Sequence, residues 1–304
     1  MIRAAAFIVF AMLVAASGPL LAGDIYVSNT MGRDGFDGRR AFARSNVTGP
    51  VQTITRALEI ARRGDRIIIQ DTGEPYRESI TLTGARHSGT TSLPFTISGN
   101  GAILDGSVAV PAGVWEFYRD ETFRFRPRRQ AYLQLFYNGK PLVERRAEPS
   151  TDSPPKLRPL EWCLHRGFAY FGTEKGRLPD TYRLTQTGAR VGITAYRVDH
   201  VVIDGLVVQA FQLDGVNAHD QVRFTQFSGL TCRGNGRSGI SVGGASSVRI
   251  SNSLIGNNGH AQIRLEFPAA VDLQSNVIVD NTAPSLVNDG GRLYVNGKPV
   301  AGDD

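Results

Sequence analysis

Short segments of alternating apolar and polar residues recur through the second half of the chain. Four of them begin with Val and run into turns rich in Gly, Asn and Ser. They lie at 201–206, 222–227, 248–253 and 271–276. Their first residues are 21, 26 and 23 positions apart. Alternation predicts β-strands, and a period in the low twenties predicts a solenoid in which each coil adds one strand to a stacked sheet.

The alternation also predicts which side chains point into the solenoid. Ile203, Phe224, Ile250 and Leu273 stand at the third position of the four segments, and we expect them to form one continuous apolar ladder. One coil buries only a thin apolar stripe, so stability must come from contacts between neighbouring coils. Outward polar side chains on the same strands remain available for function.

A helix is predicted near the N-terminus, over about residues 52–61. Its apolar residues have helical spacing, and Gly64 and Asp65 are expected to end it. The apolar residues are Ile54, Ala57, Leu58 and Ala61. An open edge of a parallel sheet invites pairing with other chains. We therefore predict that this helix caps the open end of the solenoid.

Residues 112–190 break the coil period and are rich in aromatic side chains. These include Trp115, Phe117, Tyr132, Phe136, Tyr137, Trp162, Phe168, Tyr170 and Phe171. The Asn138-Gly139 pair is typical of a tight hairpin turn. We predict an inserted small antiparallel β-module. The hairpin pattern at 137–142 recurs at 295–300, which predicts a second hairpin at the C-terminus.

The first 23 residues have the pattern of a secretory signal peptide. Arg3 supplies a positive charge, residues 4–16 are apolar, and the small residues around Ala22 offer a cleavage site. We expect an exported protein, secreted or periplasmic, that does not associate with a membrane after cleavage. The predicted organisation is signal peptide 1–23, N-terminal cap and first coils 24–111, inserted module 112–190, C-terminal coils 191–288, and C-terminal hairpin and tail 289–304.

Composition narrows the class of protein and of partner. A chain of 304 residues with 41% hydrophobic residues can build a folded core, which excludes a disordered chain. The net charge of +6 suits an acidic polysaccharide, whereas no nucleic-acid partner is expected for an exported protein. Cys163 and Cys232 are expected to be buried free thiols, although pairing between them stays open. The sequence leaves the oligomeric state open.

Several segments resemble a known superfamily. Four N-terminal segments are similar to the corresponding part of exported right-handed parallel β-helix, or pectin-lyase-like, proteins. The segments are 25–35, 50–58, 64–69 and 76–80. The superfamily includes pectate lyases, polygalacturonases and β-helix lyases of the alginate lyase and chondroitinase B type. The resemblance spans about residues 24–110 and 191–288.

This resemblance implies both a fold and a function. The expected fold is all-β, a right-handed parallel β-helix solenoid with an N-terminal capping helix. The inserted module is similar to the β-barrel insertions of some β-helix glycoside hydrolases. The implied function is that of an exported carbohydrate-active protein, a lyase or hydrolase acting on an extracellular, anionic polysaccharide. The alternative is a non-catalytic β-helix that binds glycans or serves as a surface or envelope scaffold.

The candidate site comes from aligning the last strands of three coils. The aligned segments are 214–218, 238–242 and 261–265. Asn217, Ser241 and Arg264 then form an outward column with about 4.8 Å between strands. The same register places Arg237 beside His260. Three further polar residues fall close to these positions, and they are Asp214, His219 and Glu266.

Such a set has the groups that chemistry on an acidic sugar needs. An arginine can neutralise a uronate carboxylate, a histidine can remove a proton, and a carboxylic acid can protonate a leaving oxygen. The predicted catalytic residues are Arg237, His260, Asp214 and His219, and the predicted substrate-binding residues are Arg264, Asn217 and Glu266. A structural interpretation stays open, in which the same side chains cap turns or lie in solvent.

The catalytic sets of the best-known families are missing. Residues 234–239 stand where polygalacturonases carry paired aspartates, which argues against their hydrolytic mechanism. Asp204 is expected to face Thr225 and Ser251, whereas calcium sites are built from several carboxylates. No cofactor and no metal ligand are therefore assigned, and a calcium ion is an alternative without support.

Overall fold

The computed structural model describes residues 22–148 and 150–300. The predicted signal peptide therefore lies outside the described residues, apart from Ala22 and Gly23. Within the described ranges, no helix combines the length and apolar character that a membrane crossing requires.

The chain folds into strands, one α-helix and one short 3-10 helix within the described ranges. The elements before the module are β1 (Asp24–Val27), α1 (Ile54–Ile60), β2 (Arg66–Ile69), β3 (Ile80–Thr83), β4 (Phe95–Ser98) and β5 (Ile103–Asp105). The elements of the module are β6 (Ser107–Ala109), β7 (Glu116–Arg119), β8 (Thr122–Phe125), β9 (Leu135–Tyr137), β10 (Lys140–Pro141), β11 (Val143–Glu144), β12 (Glu161–His165), β13 (Phe168–Gly172), the 3-10 helix (Pro179–Tyr182) and β14 (Thr185–Thr187).

The strands after the module complete the solenoid. They are β15 (Ile193–Tyr196), β16 (Val201–Asp204), β17 (Val207–Gln209), β18 (Asp214–His219), β19 (Thr225–Ser228), β20 (Thr231–Arg233), β21 (Ser238–Val242), β22 (Ser247–Ser251), β23 (Leu254–Gly256), β24 (Ala261–Glu266), β25 (Ala270–Gln274), β26 (Val277–Val279), β27 (Leu286–Asp289), β28 (Arg292–Val295) and β29 (Lys298–Pro299).

Three parallel sheets run along the solenoid. Sheet 1 contains β1, β2, β4, β16, β19, β22, β25 and β28 in that order, and β29 joins its edge antiparallel. Sheet 2 contains β5, β17, β20, β23 and β26, and sheet 3 contains β3, β15, β18, β21, β24 and β27. Each full coil adds one strand to each sheet, as β16, β17 and β18 do. The predicted all-β solenoid is confirmed.

The inserted module interrupts the coil formed by β4, β5 and β15. It contains two small sheets, β10-β9-β14-β6 and β11-β12-β13-β8-β7, and all their pairings are antiparallel except that of β11 with β12. The module has its own apolar core, formed by Phe125, Leu133, Leu135, Trp162, Ala169, Phe171, Tyr182 and Leu184. Its first strand, β6, precedes the predicted start at residue 112.

The register of sheet 1 corrects one member of the predicted ladder. Ile203, Phe227, Ile250 and Leu273 pair on successive strands, with spacings of 24, 23 and 23 residues. The prediction for Phe224 was wrong, because this residue lies before β19 and is 73% exposed. Its φ of 48° is left-handed and cannot continue a strand, so the strand begins one residue later.

The capping helix is confirmed. It packs against β1, β2 and β3 at the end of the solenoid. Its buried residues are Ile54, Ala57 and Leu58. The hydroxyl of Thr53 accepts a hydrogen bond from the Arg56 N–H at 3.0 Å and so caps the first turn. The helix ends at Ile60, before the predicted stop at Gly64, because Ala61 is already extended.

Both predicted hairpins are confirmed. In the first, Asn138 and Gly139 have φ angles of 50° and 70°, and in the second Asn296 and Gly297 have 50° and 74°. Positive φ at both central residues is the geometry of the tight turn that Asn-Gly favours. The two cysteines are buried free thiols, as expected, one in the module and one in a coil.

Candidate functional site

Sheet 3 has the register that the sequence predicted. Asn217 pairs with Ser241, and Ser241 pairs with Arg264. The residues that alternate with this column are fully buried, and they are Val216, Ala218, Ile240, Val242, Ile263 and Leu265. The predicted pairing of the column is therefore confirmed. Asn217 and Arg264 are partly exposed, whereas Ser241 between them is buried.

Asp214 and Arg237 form an ion pair at the start of these strands. Arg237 Nε lies 3.0 Å from Asp214 Oδ1, and Arg237 Nη2 lies 2.5 Å from Asp214 Oδ2. The Ser238 hydroxyl and the Asn217 side-chain amide donate to the same carboxylate at 2.5 and 3.2 Å. The hydrogen bonds that Arg237 donates to Asp214 raise the pKa of Arg237. Since Asp214 is fully buried, it holds its neighbours in place and is closed to solvent.

Arg264 already has two carboxylate partners. Its Nε lies 2.9 Å from Glu266 Oε1, and its Nη2 donates to Asp289 Oδ2. The sequence did not single out Asp289, because its strand β27 lies beyond the three aligned coils. A substrate carboxylate would compete with these partners for the charge of the Arg264 guanidinium, which is only partly exposed.

His260 lies where the module meets the start of β24. Its ring stands edge-on to Tyr132 of the module, with 4.9 Å between the ring centroids. His260 is exposed on one side, and partial desolvation by the protein around it lowers its pKa below the ordinary value. The positive charges of Arg146 and Arg264 lower the pKa further. The imidazole is therefore uncharged at neutral pH and can accept a proton.

Arg146 connects the module to the coils. Its Nη2 donates to the backbone carbonyls of Gly259 and Thr282 at 2.9 and 3.3 Å. Glu144 Oε2 lies 3.8 Å from Arg146 Nε. Burial raises the pKa of Glu144, and Arg146 opposes that shift. Sequence reasoning missed both residues, because the module has no coil period from which positions can be aligned.

A glycine in the coils makes room for the module. A Cβ atom at Gly236 would lie 2.0 Å from the Tyr132 carbonyl oxygen, which belongs to the backbone, so only glycine permits this approach. A Cβ atom at Gly259 would lie 2.1 Å from the Gly236 carbonyl oxygen, so Gly259 permits the close approach of two coils. The turn at 234–239 stands where polygalacturonases carry paired aspartates. In this chain it serves instead as a docking surface for the module.

His219 lies at the opposite end of the sheet 3 strands from His260, as the last residue of β18. Asp214 pairs with Ser238, and His219 follows five residues further along β18, which is about 16 Å along the strand. Its ring packs against Tyr196 with 5.1 Å between centroids. The structure therefore does not bring His219 together with His260, although both belong to sheet 3 coils.

We define the junction site as the polar side chains where the module meets sheet 3. They are Tyr132, Glu144 and Arg146 from the module, and Arg237, His260 and Arg264 from the coils. Glu266 lies at the level of His219 in the register, at the far end of the strands, and is linked to this set through its ion pair with Arg264. The site combines an uncharged imidazole, a phenol, cations and a carboxylate. Such a set can bind an anion, remove a proton and return one.

The described residues offer no ready metal centre. Within 22–148 and 150–300, no three His, Cys, Asp or Glu side chains come close enough to hold an ion together. Asp204 pairs with Ser228, and Ser228 pairs with Ser251. The predicted neighbour Thr225 was wrong for the same reason as Phe224, since the strand begins later than expected.

Comparison with known proteins agrees with the architecture. Residues 183–300 match the family model described as a right handed beta helix region. This match and the three parallel sheets agree on a right-handed β-helix fold. A search of curated proteins finds no match.

One of the similar solved structures, a glycoside hydrolase, supports the same fold. It superposes with a TM-score of 0.57 at 12% identity, covering 84% of this chain and 74% of its own. The complex of XylC with xylose gives a TM-score of 0.40 at 12% identity, covering 90% and 70%. The GH136 lacto-N-biosidase from Eubacterium ramulus gives 0.29 at 9% identity, covering 90% and 56%. At these identities the likeness concerns the fold alone.

Proposed function

We propose that this β-helix protein is carbohydrate-active and cleaves an anionic polysaccharide by β-elimination at the junction site. The observation that carries the proposal is the uncharged imidazole of His260, with the cations Arg146 and Arg264 nearby. A neutral base beside positive charge suits removal of a proton next to a sugar carboxylate. The fold supports the broader class, because one structural neighbour is a glycoside hydrolase.

In the proposed reaction, the His260 imidazole removes the proton from C5 of a uronate residue. The electron pair left behind is stabilised by the adjacent carboxylate, whose charge Arg146 neutralises. The bond from C4 to the glycosidic oxygen then breaks, and a double bond forms between C4 and C5. Tyr132, which contacts the His260 ring, is the neighbouring hydroxyl that can protonate the departing oxygen.

The roles differ from those that the sequence predicted. We give carboxylate binding to Arg146 rather than to Arg264, because two carboxylates already neutralise Arg264. Arg237 and Asp214 become positioning residues, since their buried pair fixes the strand from which Arg237 faces the junction. His219 has no part in the proposed step, because it lies at the far end of β18.

Two other outcomes have support of their own. Hydrolysis is favoured by Glu144, because a carboxyl group with a raised pKa can act as a general acid. A non-catalytic glycan-binding role is favoured by the closed ion pairs of Arg237 and Arg264. From the predicted signal peptide, we propose that any of these roles would be carried out in the periplasm or the medium.

The test is turnover on polygalacturonate, alginate, chondroitin sulfate and neutral xylan. We expect ultraviolet-absorbing unsaturated products from an anionic polymer. Activity should rise with pH as His260 deprotonates, through a pKa below the ordinary 6.5. His260→Ala should lower the rate about 10²- to 10⁴-fold, the usual range for a lost acid–base group.

His219→Ala is the matched control, because it removes a histidine from the same sheet at the far end of the strands. It should keep the wild-type rate. Reducing ends without unsaturated products would replace elimination by hydrolysis, and binding without turnover on every polymer would favour the non-catalytic role. Equal losses in the two histidine variants would overturn the assignment of His260.

A further inference from the structure

Phe224 is a large apolar side chain that the fold leaves uncovered. It is 73% exposed, and its φ of 48° lies in the left-handed region. Bulky residues rarely adopt this conformation, whereas Gly and Asn adopt it readily. Packing does not explain the residue, because little of its surface is buried. An exposed aromatic group on a strained backbone is a feature typical of binding sites.

A second aromatic ring lies directly against Phe224. The ring of His200 stacks on it with 4.6 Å between centroids and an interplanar angle of 19°. His200 also has a left-handed φ, of 54°, at the equivalent position of the preceding coil. Its Nε2 lies 3.1 Å from the Thr91 hydroxyl oxygen, which fixes the ring. The two rings form a flat platform beside sheet 1.

The platform lies between two hollows. The larger, about 580 Å³, runs over the outer face of sheet 1 and has a polar rim. Its polar residues include Thr91, Gln226, Arg249 and Asp272. The smaller, about 440 Å³, is lined by Phe224 together with Pro268 and two arginines, Arg223 and Arg292. Hollows of this size accommodate ligands the size of a few sugar rings.

The arginines of the smaller hollow carry uncompensated charge. Arg223 and Arg292 are exposed, and the ion pairs formed within 22–148 and 150–300 do not include either of them. In the larger hollow, Arg249 is paired with Asp272 at 3.4 Å. The surface beside the platform is therefore positive, and it complements an anionic ligand.

We propose that the His200–Phe224 platform and its two hollows form a second binding site for an acidic polysaccharide, separate from the junction site. One face of a pyranose ring is made of C–H bonds and stacks on an aromatic ring, while its hydroxyl groups reach a polar rim. Sugar carboxylates would contact Arg223 and Arg292. That the ligand is also the substrate of the junction site rests on the proposed function.

A site of this kind would hold one stretch of a polymer while another stretch enters the junction site. The platform belongs to sheet 1 and the junction site to sheet 3, so the two occupy different faces of the solenoid. Binding at one site raises the local concentration of the same chain at the other. The platform should therefore matter for long polymers and leave cleavage of short oligosaccharides unchanged.

The test is titration calorimetry with hexasaccharides of galacturonate, alginate, chondroitin sulfate and cellulose. The protein carries His260→Ala, so that nothing is cleaved. Adding Phe224→Ala should weaken binding of an acidic hexasaccharide at least tenfold. Adding Phe42→Ala, which removes another exposed phenylalanine, should leave it unchanged. Equal affinities in the two variants, or binding of none of the hexasaccharides, would overturn the platform.

Cleavage by the protein with native His260 separates this inference from the proposed function. Phe224→Ala should slow cleavage of the polymer and spare that of a short oligosaccharide. If Phe224→Ala weakens binding but the wild type cleaves none of the polymers, the proposed function is wrong and the platform proposal stands. If the wild type cleaves a polymer but Phe224→Ala leaves binding unchanged, the platform proposal is wrong and the proposed function stands.

Thermal unfolding tests whether Phe224 contributes to the stability of the fold. Phe224→Asn should keep or raise the melting temperature, because Asn tolerates the left-handed backbone. Phe227→Ala, in the buried ladder, should lower it clearly. A loss in Phe224→Asn as large as that in Phe227→Ala would show that Phe224 is structural.

Discussion

A buried carboxylate that accepts several hydrogen bonds stabilises the start of two neighbouring strands of sheet 3, β18 and β21. Asp214 accepts hydrogen bonds from Arg237, Ser238 and Asn217, and it is fully buried. Removing the acid leaves the Arg237 guanidinium without its partner in a mostly buried position. Breaking such a pair costs more than forming it gains, because the remaining charge stays desolvated.

We therefore expect Asp214→Ala to lower the free energy of unfolding by about 3 kcal/mol. Arg264→Ala breaks a pair whose carboxylates are half exposed, and it should cost no more than about 1 kcal/mol. Urea unfolding of both variants measures the difference. Equal losses would mean that burial does not distinguish the two ion pairs.

At the scale of residues, the sequence predicted which residues pair on adjacent strands better than it predicted their ion pairs and backbone conformations. Strict alternation around Ile240 and Ile263 was enough to place Arg237 beside His260 in adjacent coils. It could not show that Asp289 neutralises Arg264, because that contact depends on a fourth strand. It also misplaced Phe224, since a left-handed turn residue looks like a strand residue when only hydrophobicity is read.

Among the elements, the capping helix is attached to the first coils through a buried histidine. His87 Nδ1 accepts the Thr83 N–H at 3.0 Å, and its Nε2 lies 3.0 Å from the Leu58 carbonyl oxygen. These partners require a neutral ring with the proton on Nε2. Burial is the main reason why the pKa of His87 is lowered, and nearby Arg86 acts in the same direction.

Acid should therefore loosen the cap. Because the folded pKa of His87 lies below its ordinary 6.5, its contribution is complete above that pH and declines as the pH falls through the lower, folded value. Protonation of Nδ1 also removes the bond from Thr83. We expect the melting temperature of the wild type to fall more between pH 7 and pH 5 than that of His87→Gln. The same fall in both proteins would exclude His87 as the cause.

The elements themselves were largely predictable, and their ends were not. Helical spacing identified α1, but the helix stops at Ile60 because Ala61 turns the chain into an extended path. That choice depends on packing against the coils, which no local pattern reveals. Hairpins were easier, since Asn138-Gly139 has few alternatives to the tight turn it forms.

For the whole molecule, the decisive event is the docking of the module on the solenoid. The loss of coil period predicted an insertion, yet nothing local indicated which surface it would cover. The contact depends on Gly236, where any side chain would collide with the Tyr132 carbonyl oxygen, and on the hydrogen bonds that Arg146 donates to the coils. The junction site therefore exists only in the assembled chain, and its three module residues could not be found from coil alignment.

The docking also sets the protonation of His260, which gives a test that does not depend on activity. Arg146→Ala removes a positive charge that lowers the pKa of His260, and it opens the junction to water. Both effects favour the charged imidazole, so the pKa of His260 should rise toward its ordinary value. Arg145→Ala is the matched control, because Arg145 pairs with Glu161 inside the module. Titration of the imidazole protons by NMR measures the pKa in each variant. An unchanged or lower value in Arg146→Ala would show that the module does not control this histidine.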